Sequence, residues 1–194
     1  ELSGQLDLSA GAIVLNNLNA AANAVNITAS GAITDGNAGT NNITAGVLTI
    51  TGNQAVTDIE TAVDTLDLAT AATSITETDG VTITDSELSG QLDLSAGAIV
   101  LNNLDAAGNA VNIAASGAIT DGNDDTAGNN ITAGVLTITG DQAVTGIETA
   151  VTTLDLATAT TSINESDSIK LQGAVSGNLE VTASAGGISD SALL

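Results

Sequence analysis

The residues best equipped for chemistry in this sequence are carboxylates and amides, and the densest group of them is Asp121, Asn123, Asp124 and Asp125. Hard oxygen donors crowded into one loop suit a hard cation, and calcium is the metal that gathers many such ligands. The corresponding stretch earlier in the chain keeps Asp35 and Asn37 but has no acidic pair beside them. Neither stretch follows EF-hand spacing or the glycine-rich calcium nonapeptide. A plain turn is the competing reading, since Gly, Asn and Asp tolerate left-handed backbone. Glu77 with Asp79, and Glu165 with Asp167, are smaller acidic pairs open to the same two readings.

Catalysis has little to work with. The chain lacks His, Cys, Arg and every aromatic residue, and Lys170 is its only cation. Paired carboxylates can hydrolyse glycosides. A polysaccharide-cleaving site would still want a cation to hold a uronate, a histidine base or a ring to stack on sugar. The expectation is therefore a protein that is not an enzyme. A formal charge of −22 repels nucleic-acid backbones and anionic membrane surfaces, so neither is expected as a partner. No apolar run approaches the ~18 residues of a membrane span.

The remaining acids fall into a series. Asp7, Asn26, Thr49, Asp67, Asp93, Asn112, Thr137, Asp155 and Glu180 each sit between two aliphatics, as in Leu6-Asp7-Leu8 and Val25-Asn26-Ile27. An apolar-polar-apolar triplet is a strand with two side chains on one face and one on the other. The series should thus point outward, as a solvated face or as a cation-binding ladder. Shortly after each triplet comes one more large aliphatic, from Ile13 and Ile33 onward to Ile188. This phrase occurs nine times, at intervals of roughly 18–26 residues, which is the signature of a solenoid.

A longer period lies above it. Glu1 to Leu15 recurs unchanged from Glu87 to Leu101, and after the loop near Asp121 the match continues with two positions inserted. The chain divides into a first unit, 1–86, a second, 87–174, and the start of a third, 175–194, in one continuous solenoid. It opens within one repeat and stops in another, so a segment of a longer protein is expected.

Alternating aliphatics, abundant Thr and Val and frequent Gly disfavour helix throughout. The Gly-free stretch Ala55 to Ala72 could be read as a helix, but it contains the triplet Leu66-Asp67-Leu68 and is assigned to strand. The fold class is all-β, a parallel β-helix (β-solenoid) of about nine coils, for which right-handed winding is the default. Equivalent aliphatics should stack in ladders: Leu6, Val25, Leu48, Leu66, Leu92, Val111, Leu136, Leu154 and Leu179 in one file. Ile13, Ile33, Val56, Ile75, Ile99, Ile119, Val144, Ile163 and Ile188 make the opposite wall. Val81-Thr82-Ile83 and Ile169-Lys170-Leu171 would form the third side of enlarged coils. Asp67 would then lie beside Asp93 and Asp155 beside Glu180, like charges that a shared calcium ion or raised proton affinity would relieve.

The run Ala24-Val25-Asn26-Ile27-Thr28-Ala29-Ser30-Gly31-Ala32-Ile33-Thr34-Asp35 resembles the degenerate repeats of filamentous-haemagglutinin-like adhesins and related giant bacterial surface proteins. The resemblance implies a β-helical fibre at the cell surface or outside the cell. The expected function is a structural segment: fibre shaft, adhesin stalk or matrix filament. Its partners would be other copies, flanking coils, or cell-surface and matrix ligands, and end-to-end self-assembly is a further option because coil ends are unpaired β edges. The alternative is a calcium-dependent binding module on the same scaffold. Ice binding is a lesser one, since Thr49-Ile50-Thr51, Thr82-Ile83-Thr84 and Thr137-Ile138-Thr139 have the Thr-x-Thr form but are interrupted by Asn26 and Asp67 at matching positions.

Overall fold

A computed structural model describes residues 2–123 and 128–190, and every regular element among them is a β-strand. Among the described residues nineteen strands join in one sheet, and all described pairings are parallel. The chain winds through about ten turns of a β-solenoid. Coil length varies: one of the shorter paths runs from Ile59 to its partner Ile75, and one of the longer from Leu104 to Ile131. No described helix is long and apolar enough to cross a membrane.

Local sequence explains the strands. Leu92–Ala96 reads buried, exposed, buried, exposed, buried, the period of two that its Leu-Asp-Leu-Ser-Ala composition dictates. The stretch open to a helical reading is the strand Val56–Thr70. Inside the coils the aliphatics close a narrow core. Val25, Leu48, Leu66, Val111, Leu136 and Leu154 are fully buried, and Leu92 is nearly so. Parallel stacking puts side chains of like size one above another, so this interior fills without an aromatic residue.

The stacking partners differ from the simple ladder at the unit boundaries. One file holds Leu6, Val25, Leu48 and Leu66, then continues through Ile83 to Leu101. A second begins Ile13, Ile33, Val56, Thr73 and only then takes Leu92, Val111, Leu136, Leu154 and Leu171. A third runs Val81, Ile99, Ile119, Val144, Thr161 and Leu179. Leu66 and Leu92 therefore lie in different files, and so do Leu154 and Leu179.

The reason is where the coils close. The stretch from Leu66 to Leu92 is not one enlarged coil; the coil begun at Leu66 closes at Ile83, and the next is well under way before the triplet returns. Val81–Ile83 belongs to a coil of its own, as does Ile169–Leu171. Each unit is four coils and a fraction, so its triplet lands further round the preceding coil: Leu92 on Thr73 rather than on Leu66, and Leu179 on Thr161 rather than on Leu154.

The opposite wall also departs from the simple ladder. Val56 is followed in its file by Thr73 and Val144 by Thr161; Ile75 instead pairs with Ile59 and Ile163 with Ile147. A β-bulge follows Val56 and another follows Val144. At these bulges Asp58 takes φ 52° and Gly146 φ 69°, the left-handed conformation that lets one strand carry extra residues against its partner.

Candidate functional site

The outward positions of the triplets form a ladder of polar groups, none of them buried. In the first unit Asp7 neighbours Asn26, Asn26 neighbours Thr49, and Thr49 neighbours Asp67. In the second, Ser74 precedes Asp93, then come Asn112, Thr137, Asp155 and Gln172. Asp93 thus stands on Ser74, not Asp67, and Glu180 stands on Ser162, not Asp155. The fractional coil separates Asp67 from Asp93 and Asp155 from Glu180, although Asp67 then has Asp85 and Glu87 as its acidic neighbours.

Amides occupy the neighbouring positions and use the carboxylates as acceptors. Asn26 Nδ2 donates to Asp7 Oδ1 at 2.7 Å and Asn112 Nδ2 to Asp93 Oδ1 at 2.7 Å. Asn103 donates to Asp85 and Gln172 to Asp155 in the same way. The bond from Asn26, joined by one from Gln5, holds the Asp7 carboxyl below its usual range. Asp67 is shifted the opposite way, raised first by its partial burial and then by the charges of Asp85 and Glu87. Two acids at equivalent triplet positions of one unit thus hold their protons with different strength.

The proposed calcium loop divides into a described and an undescribed part. Asp124 and Asp125 lie outside the described residues. Asp121 Oδ1 accepts from Asn123 N at 2.8 Å and from Asn130 Nδ2 at 2.8 Å, and Asn123 Nδ2 donates to Asn102 O at 2.6 Å. The first-unit loop repeats the arrangement: Asp35 Oδ1 accepts from Asn37 N at 2.6 Å and Asn42 Nδ2 at 2.7 Å. Asp121 and Asp35 thus carry structural bonds that close their loops as Asx turns. Among the described residues no group of three or more His, Cys, Asp or Glu side chains is arranged to hold a metal ion.

Sequence reading overlooked Asn42 and Asn130. Both are completely buried. Asn42 Nδ2 reaches down to Leu15 O at 3.0 Å, while its Oδ1 accepts from Glu60 N at 2.8 Å in the coil above. Asn130 does the same with Leu101 O at 2.7 Å and Glu148 N at 2.7 Å. One amide therefore ties three successive coils and a loop together. The available signal was the retained Asn-Asn-Ile-Thr sequence behind two loops of different length.

Glu77 and Glu165 face inward, not toward solvent. They are 3% and 1% exposed. Glu77 Oε2 accepts from Thr61 Oγ1 at 2.6 Å and Val63 N at 3.1 Å; Glu165 Oε2 accepts from Thr149 Oγ1 at 2.8 Å and Val151 N at 3.2 Å. Each supplies an acceptor to a strand N–H where the neighbouring coil turns away. Burial raises both carboxyls above the ordinary glutamate value of 4.5, against the lowering effect of the threonine hydroxyl. Asp79 and Asp167 contribute backbone N–H groups to the same carboxylates at 3.4 and 3.3 Å. The two acidic pairs singled out from sequence are thus corner clamps.

The architecture and repeat define a β-solenoid repeat protein. Comparison with protein-family models, curated proteins and solved structures yields no match to this chain.

Proposed function

We propose that the chain is a structural, non-enzymatic segment of a large extracellular repeat protein, serving as fibre shaft, adhesin stalk or matrix filament. The observation that supports this reading best is the continuity of the coil stack across unit boundaries. Leu92 seats on Thr73 and Leu179 on Thr161 with the same backbone pairing that joins coils within a unit. Units can therefore be added without a joint, and length accrues at about 4.8 Å per coil. The polar groups described above hold neighbouring coils to one another, as befits a shaft.

The reading is tested by shortening the rod. Deleting residues 87–174 leaves the same spacing between Thr73 and Leu179 as now separates Thr161 from Leu179. The product should fold as a β-rod whose maximum dimension, from small-angle scattering, falls by about 20 Å, four to five coils. A collapsed or unfolded product would contradict the additive shaft. Calcium provides the second arm. A shaft should melt at nearly the same temperature with and without it, whereas a gain of several degrees would favour the calcium-dependent module.

A further inference from the structure

We infer that mild acid strengthens this fold instead of dismantling it, through the two buried glutamates, Glu77 and Glu165, that clamp the same corner of successive units. Acid unfolding of most proteins follows from protonating carboxylates that are salt-bridged in the native state, and from charging buried histidines. Here the named donors to both glutamates are neutral hydroxyls and N–H groups. The chain has no histidine or arginine.

The charged groups on the strands packed against the clamps are anionic. Glu77 has Asp79 in its own turn. The strand beneath it, Val56–Thr70, carries Asp58, Glu60, Asp64 and Asp67, and the strand above, Leu92–Ala96, carries Asp93. Glu165 has Asp167 in its turn, Glu148 and Asp155 on Val144–Thr158 beneath, and Glu180 on Leu179–Ala183 above. Lys170, the single cation, is exposed on the following strand, Ile169–Val175. A charge on either glutamate is therefore desolvated with no cation to offset it, and that on Glu165 is also repelled by Asp167; a proton relieves these costs.

The sign follows directly. Burial raises both folded-state values above the 4.5 of an ordinary glutamate, so the folded chain binds these protons more tightly than the unfolded chain does. The resulting stability is fully present below 4.5 and is lost as pH rises through the folded values. Asp67, raised by partial burial and by the charges of Asp85 and Glu87, acts in the same direction, so removal of the two glutamates is what separates their share from its own.

The test compares thermal melts of the whole chain at pH 7.0 and 5.0, as wild type and as the double variant Glu77→Gln, Glu165→Gln. The wild-type melting temperature should rise by about 3 °C or more on acidification, a shift of the size expected for a chain of this length. The double variant should lose most of that rise. An unchanged or lower wild-type melting temperature at pH 5.0 overturns the inference, as does an equal rise in the variant. Carboxyl 13C NMR of the wild type serves if the variant does not fold: two glutamate signals should titrate above pH 4.5, and their titration at or below it refutes the proposal.

Discussion

The first and second units share an unbroken identical phrase, Glu1 to Leu15 and Glu87 to Leu101, yet these residues occupy different surroundings. Leu94 and Ala96 are buried against the coil beneath, whereas Leu8 and Ala10 in the first coil are only half-buried. Val14 is 64% exposed, while its counterpart Val100 is shielded between Thr82 and Thr120. Identical sequence thus fixes the path of the strand and the direction of each side chain. Burial is decided by whatever coil lies above and below. In a solenoid, stability belongs to interfaces between repeats as much as to the repeats themselves.

Substitution at paired positions puts this to measurement. Leu48 and Leu136 are both fully buried at corresponding places, each with a coil on either side. Leu48→Ala and Leu136→Ala should each cost about 2–5 kcal/mol by denaturant unfolding, and by similar amounts. A large inequality would mean that the two units do not present equivalent interiors. Next in size are Asn42→Ala and Asn130→Ala. Each removes the amide acceptor of an N–H in the coil above, while the carbonyl below keeps the backbone N–H of Gly36 or Gly122, and a loss of roughly 1–3 kcal/mol is expected. Hydrogen exchange should locate the damage at Glu60 N for the first and Glu148 N for the second, the two donors to the lost amide oxygens.

The bulges offer a reciprocal exchange. Asp58 holds φ 52° where the second unit places Gly146 at φ 69°. Left-handed backbone costs a residue with a Cβ about 1 kcal/mol relative to glycine. Asp58→Gly should therefore raise stability by about that much, offset slightly by loss of the bond from Ser74 Oγ to Asp58 Oδ1. Gly146→Asp should lower it by a similar amount. Equal and opposite shifts in melting temperature would show that the two bulges differ mainly by this one conformational term. Two shifts of the same sign would show that contacts around the bulge dominate.

Much of this fold was legible because period-two patterning needs only the residues themselves. Leu6-Asp7-Leu8 declares a strand and an outward carboxylate, and nine occurrences of the phrase declare a solenoid. The azimuth of each phrase was not legible in the same way, because it depends on where coils close. Ile83 closes the coil begun at Leu66, and nothing in the triplet itself distinguishes Ile83 from the third side of a wider coil. Ile75 lies outside the file of Val56 for a related reason: Val56 seats on Thr73, and the bulge at Asp58, with two exposed residues between Val56 and Ile59, then sets Ile75 opposite Ile59. The site residues divide similarly. Outward acids could be named from alternation, but Glu77, Asn42 and Asn130 are polar residues whose burial follows from the turn of a neighbouring coil.

The smallest expected effect concerns the ladder itself, where the two units again carry the same order of acid, amide, hydroxyl and acid. Asn112 separates Asp93 from Thr137 and donates its amide to Asp93. Asn112→Asp replaces that donor with a second carboxylate at strand spacing from Asp93. The site is open to water, so the loss should amount to roughly a few tenths of a kcal/mol. It should shrink as salt is raised, because exposed charges are screened over a Debye length of about 8–10 Å near physiological strength. Calcium should restore little if the ladder is a solvated face, whereas a cation-binding ladder would gain affinity from the added carboxylate and show it as a calcium-dependent rise in melting temperature. The salt series and the calcium series, taken on the same variant, separate a surface that spaces its charges from one that collects cations.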